Sequence, residues 1–327
     1  MPAPSTSVAL LRSDLRDSLE TFNLAADRQG FIAPRIFPVL EVAKQSGSFG
    51  KIPIAQLLKH RETVRAPGAG YSRGSQTFTS DNYACQEYGA EETVDDREKE
   101  LYADWIVAEQ IAAASAQDAV LRAAEKRVSD LLFNATTFAG KTADVTLEWD
   151  VAHTATAVPI QDVETAVRTV WANCGLWPNA LVINRTVFRN LRNITQIVDR
   201  ITASGAGQAA KPSDITAAML AAVFDLDEVI VSDSAKNTAD EGQSVSISSL
   251  WSSEYALLCR VARTASIKEP CLGRTFHWNA DGSQIGGTIE SYRAESNRSD
   301  VIRCRHDVHE KLLMAECGYL LGNVTTI

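Results

Sequence analysis

Two histidines three residues apart, His306 and His309, are followed by Glu310, and these are the first residues whose types could do chemistry. On a helix that spacing would place both imidazoles on one face, as a metal pair needs. On a strand, odd spacing sends them to opposite faces. The neighbours Val301, Cys304 and Val308 read as strand, so no metal site is expected. His60, His153 and His277 stand alone in separate segments. Folding could bring Cys259 beside His277 as a thiolate–imidazole pair, but six cysteines and five histidines permit many such pairs, and no spacing favours one. The cysteines (Cys85, Cys174, Cys259, Cys271, Cys304 and Cys317) form no CxxC, so neither a zinc site nor a redox dithiol is indicated, and free buried thiols are expected. GAGYSRGS and GSQIGG lack the Lys–Ser/Thr ending of a phosphate-cradling loop. No GxSxG, HExxH or Asp-rich calcium loop occurs. No enzyme is expected, with no catalytic, cofactor-binding or metal residue to name and no cofactor.

What the sequence does space out is charge. From Ser48 to Ser80 the only acid is Glu62, against Lys51, Lys59, Arg61, Arg65 and Arg73. From Glu87 to Glu100 seven acids face only Arg97 and Lys99. A basic loop followed at once by an acidic segment does not easily satisfy itself in place, but it can do so between copies of the chain. Lys59, Arg61, Arg65 and Arg73 are therefore candidate contacts for a neighbour's Glu91, Glu92, Asp95 and Asp96. GFIAPRIFPVLEV adds a second candidate. Pro34 and Pro38 forbid a regular helix, and its apolar residues, Phe31, Ile36 and Phe37 among them, are costly in water and need a surface of their own core or of a neighbour.

The elements that must position these groups are organised around Asp95–Asn134. No glycine or proline lies between Gly89 and Gly140, and strong helix formers fill the interval. Asp95 and Glu98 form a capping box, the early acids and the late Lys126 and Arg127 complement the helix dipole, and Asn134 can close the helix. At about 1.5 Å per residue this spine would run roughly 50–60 Å. Its alanines, Ala112, Ala113 and Ala116 among them, would let a sheet or helix approach closely. Before it, SFGKIPIAQLL and QTFTSDNYACQEYG read as the two arms of an excursion with a Gly-rich tip. Before that, Ser13–Asn23 reads as a short amphipathic segment. After the spine, Thr146–Val151 reads as a strand and Ile160–Asn173 as a helix that Pro159 opens and Gly175 closes. Ala180–Ile183 reads as a buried strand, Asn184 and Ser213 as caps of further helices, and Glu228–Val231 as a strand. That alternation implies a compact mixed domain. Thr288–Arg293 and Ser299–Asp307 suit antiparallel strands, and Lys311–Leu321 is an apolar closing segment.

Composition fits a soluble globular chain of 327 residues, 45% hydrophobic and 22% charged. The longest nearly apolar run, Ile215–Phe224, is too short to span a membrane, and the N-terminus lacks a secretion signal. A net charge of −9 with no basic tract speaks against gripping nucleic acid.

The order of parts resembles the major capsid protein of tailed bacteriophages, the Hong Kong 97-like fold. YGAEETVDDREKELYADW and RAAEKRVSDLLFN bound the spine, ALVINRTVFRNLRN resembles the family's strand–helix step, and SDVIRCRHDVHEKLLMAECGYLLGN resembles its C-terminal strand. The resemblance covers about residues 35–323. It implies an α+β fold with an N-terminal arm (1–47) on a neighbouring subunit and an extended E-loop (48–90) over the adjacent subunit. It implies a peripheral domain (91–153, spine helix about 95–134), a mixed α/β axial domain (154–263), a return through the peripheral domain (264–307) and a C-terminal segment (308–327). Loops 202–212 and 233–242 would crowd the symmetry axes. The implied function is the head protein that self-assembles, as hexamers and pentamers, into the icosahedral shell around phage DNA. A separate scaffolding protein, a portal and a decoration protein are the implied partners. The virion, assembled in the host cytoplasm, is the implied location. No helical scaffold-like region precedes the arm, and no Asn or Glu partner for Lys51 or Lys59 matches the type member's covalent cross-link. A soluble α/β enzyme and another virion ring protein are the competing readings.

Overall fold

The computed structural model describes residues 10–11, 30–75, 77–101, 108–203, 212–240, 242–244 and 246–326. The expected amphipathic segment Ser13–Asn23 and most of the loop 202–212 lie outside them. Two sheets share one long helix.

The first sheet has six strands: β1 (Leu10–Leu11), β2 (Val39–Val42), β5 (Gln86–Asp95), β12 (Gly273–Trp278), β13 (Thr288–Ala294) and β14 (Ser299–Leu312). β14 is its axis. One edge pairs antiparallel with β13 and then β12, and the other pairs with β5 over the whole of Gln86–Asp95. At about 3.3 Å per residue, fourteen residues of strand reach some 45 Å. β14 continues unbroken past the boundary expected at 307.

The spine is shorter than expected. Asp95 is the last residue of β5, and its Oδ1 accepts from the Arg97 amide at 2.8 Å. Helix α3 follows over Asp96–Leu101, and helix α4, the spine itself, spans Ala108–Leu132; α1 (Ala33–Ile36) and α2 (Ile54–Leu57) precede them. Residues 102–107, Trp105 among them, lie outside the described set. Asn134 closes α4 through its side chain, which accepts from the Thr136 amide at 2.9 Å. The alanines act as expected. Ala112, Ala113 and Ala116 are buried against Val94, Ile289, Ile302 and Cys304 of the first sheet.

The second sheet has five strands in the order β6 (Thr142–Asp144), β15 (Gly318–Gly322), β11 (Ala256–Cys259), β7 (Ala180–Asn184) and β8 (Glu228–Ser232). Period-two alternation divides its side chains. Leu181, Ile183, Leu258 and Leu321 face a core built with α5 (Pro159–Cys174), α6 (Arg185–Leu191), α7 (Thr195–Ala203) and α8 (Ala217–Val223). Ala180, Val182, Leu257 and Leu320 face the other way, onto Val128 and Leu132 of the spine. The C-terminal half of α4 thus fastens one sheet to the other.

Helix α5 starts at Pro159 and ends at Gly175, whose φ of 68° is the left-handed cap a glycine supplies. Asn184 caps α6, accepting from the Thr186 amide at 2.7 Å. Two expectations are corrected. Thr216, not Ser213, caps α8, because Ser213 sits in a separate 3-10 turn. Residues 146–151 form turns, not a strand. Trp149 is fully buried there and donates to Asp162 at 3.1 Å, which pulls the segment inward.

All six cysteines are buried and free. Among the described residues no helix is long and apolar enough to cross a membrane.

Candidate functional site

The expectation for the apolar arm needs correction. Phe31, Ile36 and Phe37, assigned to a neighbour, are buried in this chain's own core, Ile36 and Phe37 completely. They pack with Val128, Leu132, Leu257 and Leu272 in the groove between the spine and the second sheet. Burial of this kind is worth about 1.5–3 kcal/mol per large apolar side chain. A polar anchor fixes the arm there. Glu125, 1% exposed, accepts from the amides of Ile32 at 2.8 Å and Ala33 at 2.9 Å, and from the Trp251 indole at 2.7 Å. It supplies the cap that Ile32 cannot give to α1. Burial pushes its carboxyl pKa up, while these three donors oppose the rise. The sequence held a signal for it: Leu121, Glu125, Val128 and Leu132 share one helical face, so a lone acid sits in an apolar stripe.

The excursion is a hairpin of β3 (Ser46–Lys51) and β4 (Thr79–Ala84), in register from Ser46 with Ala84 to Lys51 with Thr79. Its foot is tied to the body. Phe49 and Tyr83 stack on Phe276 at 5.9 and 4.7 Å, and Lys51 Nζ donates to the Leu313 carbonyl. Beyond the foot Lys59, Arg61, Arg65 and Arg73 are all exposed. Arg65 donates to the Ala69 carbonyl at 2.6 Å and lies over the Tyr71 ring. Among the described residues none of the four makes an ion pair. Val64, Tyr71 and Phe78 are exposed beside them, at 84%, 75% and 69%.

The acidic segment is better satisfied in place than its sequence implies. Asp96 receives two hydrogen bonds of 2.6 Å from Arg293, whose guanidinium holds the Asp96 carboxyl below the usual carboxylate range. Glu92 accepts from Ser115 at 3.1 Å, and Asp95 is spent on the turn into α3. Glu91 accepts from the Tyr292 hydroxyl at 3.2 Å and lies 4.0 Å from Arg303. Asp96 is thus corrected from a candidate contact to an in-chain partner, and Glu91, still exposed, keeps free capacity. The arginines that satisfy these acids come some 200 residues later, and nothing local announces them.

Strand geometry separates the histidine pair. On β14, His306 is buried with Nδ1 3.3 Å from the Ile285 carbonyl, and burial pushes its pKa down to about 4. His309 turns to the other face and accepts from the Ala84 amide at 3.1 Å. Cys259 and His277 belong to different sheets. Among the described residues no cluster of His, Cys, Asp or Glu could hold a metal.

A basic projecting hairpin, a spine helix and two sheets are the parts that known shells share. A phage-related protein from Bordetella bronchiseptica RB50 superposes with a TM-score of 0.66 over 97% of this chain and 98% of its own, at 19% identity. The capsid of Cyanophage P-SCSP1u superposes with a TM-score of 0.58 over 88% and 86%, at 11% identity. This is the Hong Kong 97-like capsid fold. The major capsid protein of Burkholderia phage BcepMu is 26% identical over 305 residues, which cover 90% of this chain and 91% of that protein. No family model matches. In Hong Kong 97-like terms the hairpin stands where the E-loop was expected, and the spine lies between the sheets it was expected to join.

Proposed function

We propose that this chain is the major capsid protein of a tailed phage, which self-assembles into a closed icosahedral shell around genomic DNA. The observation that carries this reading is the hairpin. It leaves the body as an ordered pair of strands and ends in four exposed cations with no ion-pair partner among the described residues. A limb of this kind gains its counter-charges from another copy. When each subunit embraces several neighbours, modest contacts act together. The net charge of −9 suits a wall that encloses DNA without holding it.

In this reading residues 1–47 are the arm and 48–90 the E-loop. Residues 91–153 and 264–307 build the peripheral domain, and 154–263 the axial domain. Thr142–Asp144 and Gly318–Gly322 pair within the second sheet and so go with the axial domain. The arm enters the shell as a docked element up to Phe37, and only its earlier part is left for a neighbour. A separate scaffolding protein, a portal and a decoration protein complete the particle, which assembles in the bacterial cytoplasm. The role of the chain is structural.

Negative-stain microscopy of the expressed full-length chain, with and without its scaffolding protein, tests the reading. Closed shells support it. Open rings favour a tail or portal component. A monodisperse monomer under both conditions overturns it.

A further inference from the structure

β5 is an edge strand. It pairs with β14 on one side from Gln86 to Asp95, and among the described residues nothing pairs with its other side. About half of its N–H and C=O groups point outward, which makes a long free edge a template for another strand.

The side chains at this edge end a series. On the sheet face away from α4, Glu290 of β13, Arg303 of β14 and Glu91 of β5 stand in one row. Arg303 pairs with Glu290 on one side and lies 4.0 Å from Glu91 on the other. Arg305 likewise reaches Glu290 at 3.1 Å and Glu87 at 3.9 Å. Charge therefore alternates strand by strand, acid, base, acid, and stops at an open edge. The next strand in that series would carry bases four residues apart, opposite Glu87 and Glu91.

One exposed segment of the chain has that spacing. Lys59–Ala66 forms neither helix nor strand, is exposed throughout, and puts Lys59, Arg61, Thr63 and Arg65 on one side when extended. We infer that Lys59–Ala66 of a second copy adds to β5 as an antiparallel strand, with Arg61 opposite Glu91 and Arg65 opposite Glu87. Thr63 then meets Gly89, where there is no side chain to clash, and Lys59 meets Thr93. On the other face the same register sets Val64, 84% exposed in the single chain, beside Tyr88, and His60 beside Glu92. The parallel alternative loses both of these pairings. Cross-strand pairs of opposite charge and apolar–aromatic pairs are the favourable ones. This inference rests on the shell reading and deepens it by naming the partner strand and its register.

Hydrogen exchange followed by mass spectrometry on wild-type particles and dissociated subunits tests it without any substitution. Peptides covering 59–66 and 86–95 should both slow by at least about tenfold on assembly. Protection of neither overturns the strand addition. Protection of 86–95 alone means a different occupant and overturns the assignment to Lys59–Ala66. Register is read by oxidising particles that carry Lys59→Cys with Thr93→Cys. Intermolecular disulfides on a non-reducing gel are expected, and Lys59→Cys with Glu87→Cys should give none. Equal cross-linking of the two pairs refutes the register. Shells that form normally but fail these tests leave the shell reading intact, whereas absence of shells from the wild-type chain sinks that reading first.

Discussion

Replacing Glu125 should undock the arm. Its carboxylate takes three hydrogen bonds in a site only 1% exposed, two from the arm and one from Trp251. Hydrogen bonds to a charged group contribute about 1.5–3 kcal/mol each, and a stranded buried donor costs about 1–3 kcal/mol. Removing the acid also relieves its own desolvation, several kcal/mol for a buried ion. The balance for Glu125→Ala is a loss of about 2–5 kcal/mol of subunit stability. Glu125→Gln keeps the shape and an accepting oxygen but turns an amide NH₂ toward a donor, so it should lose less, about 1–2 kcal/mol. The pH dependence has a definite sign. Burial raises the folded pKa above the ordinary 4.5, so the group's contribution is complete below 4.5 and declines as pH climbs through the folded value. The deficit of Glu125→Gln, which does not titrate, should therefore narrow as pH rises above 4.5. Urea unfolding of the subunit from pH 4 to 8 gives the free energies, and limited proteolysis ahead of Phe37 reports arm release. A Glu125→Ala subunit within about 0.5 kcal/mol of wild type, with its arm still protected, would refute the reasoning.

The opposite pH sign is expected at Glu290. Burial opposes its ionisation, but Arg303 and Arg305 outweigh that and hold its carboxyl below the usual range. Its contribution is present above 4.5 and lost as pH falls toward the folded value. Glu290→Gln should cost roughly 2–3 kcal/mol at neutral pH, and the difference from wild type should shrink in acid; a difference that does not change with pH would contradict the ion-pair account. Gly175→Ala should cost about 1–2 kcal/mol from left-handed strain. A Cβ there would also stand 2.4 Å from the Leu58 Cδ1, and since that side chain is 62% exposed it can yield. An unchanged denaturation midpoint would show that the αL cap carries no strain.

Local signals carried much of the fold. The Pro159 start and Gly175 stop of α5, the Asn184 cap and the strand at Ala180 are each set by neighbours within a turn or two, so sequence spacing reveals them. The alanine face of the spine announced a closely approaching sheet for the same reason. What stayed hidden depends on distant partners. Gln86–Asp95 is full of glutamate and leads into a helix, yet it is strand because β14, more than 200 residues later, pairs with it. Thr146–Val151 alternates like a strand but yields to the pull of Trp149 on Asp162. The arm was legible as apolar and extended, but the groove that takes it is made by folding. The charge imbalance of the hairpin was legible outright, whereas Arg293 and Arg303 as partners of the acids were not.

Cryo-electron microscopy of purified particles tests the central claim most directly. The account predicts a closed shell of icosahedral symmetry in which residues 59–66 of each copy lie on a neighbouring copy and residues 31–37 lie on their own. A particle in which residues 59–66 contact only their own subunit, or a chain that never forms a closed shell, would contradict it.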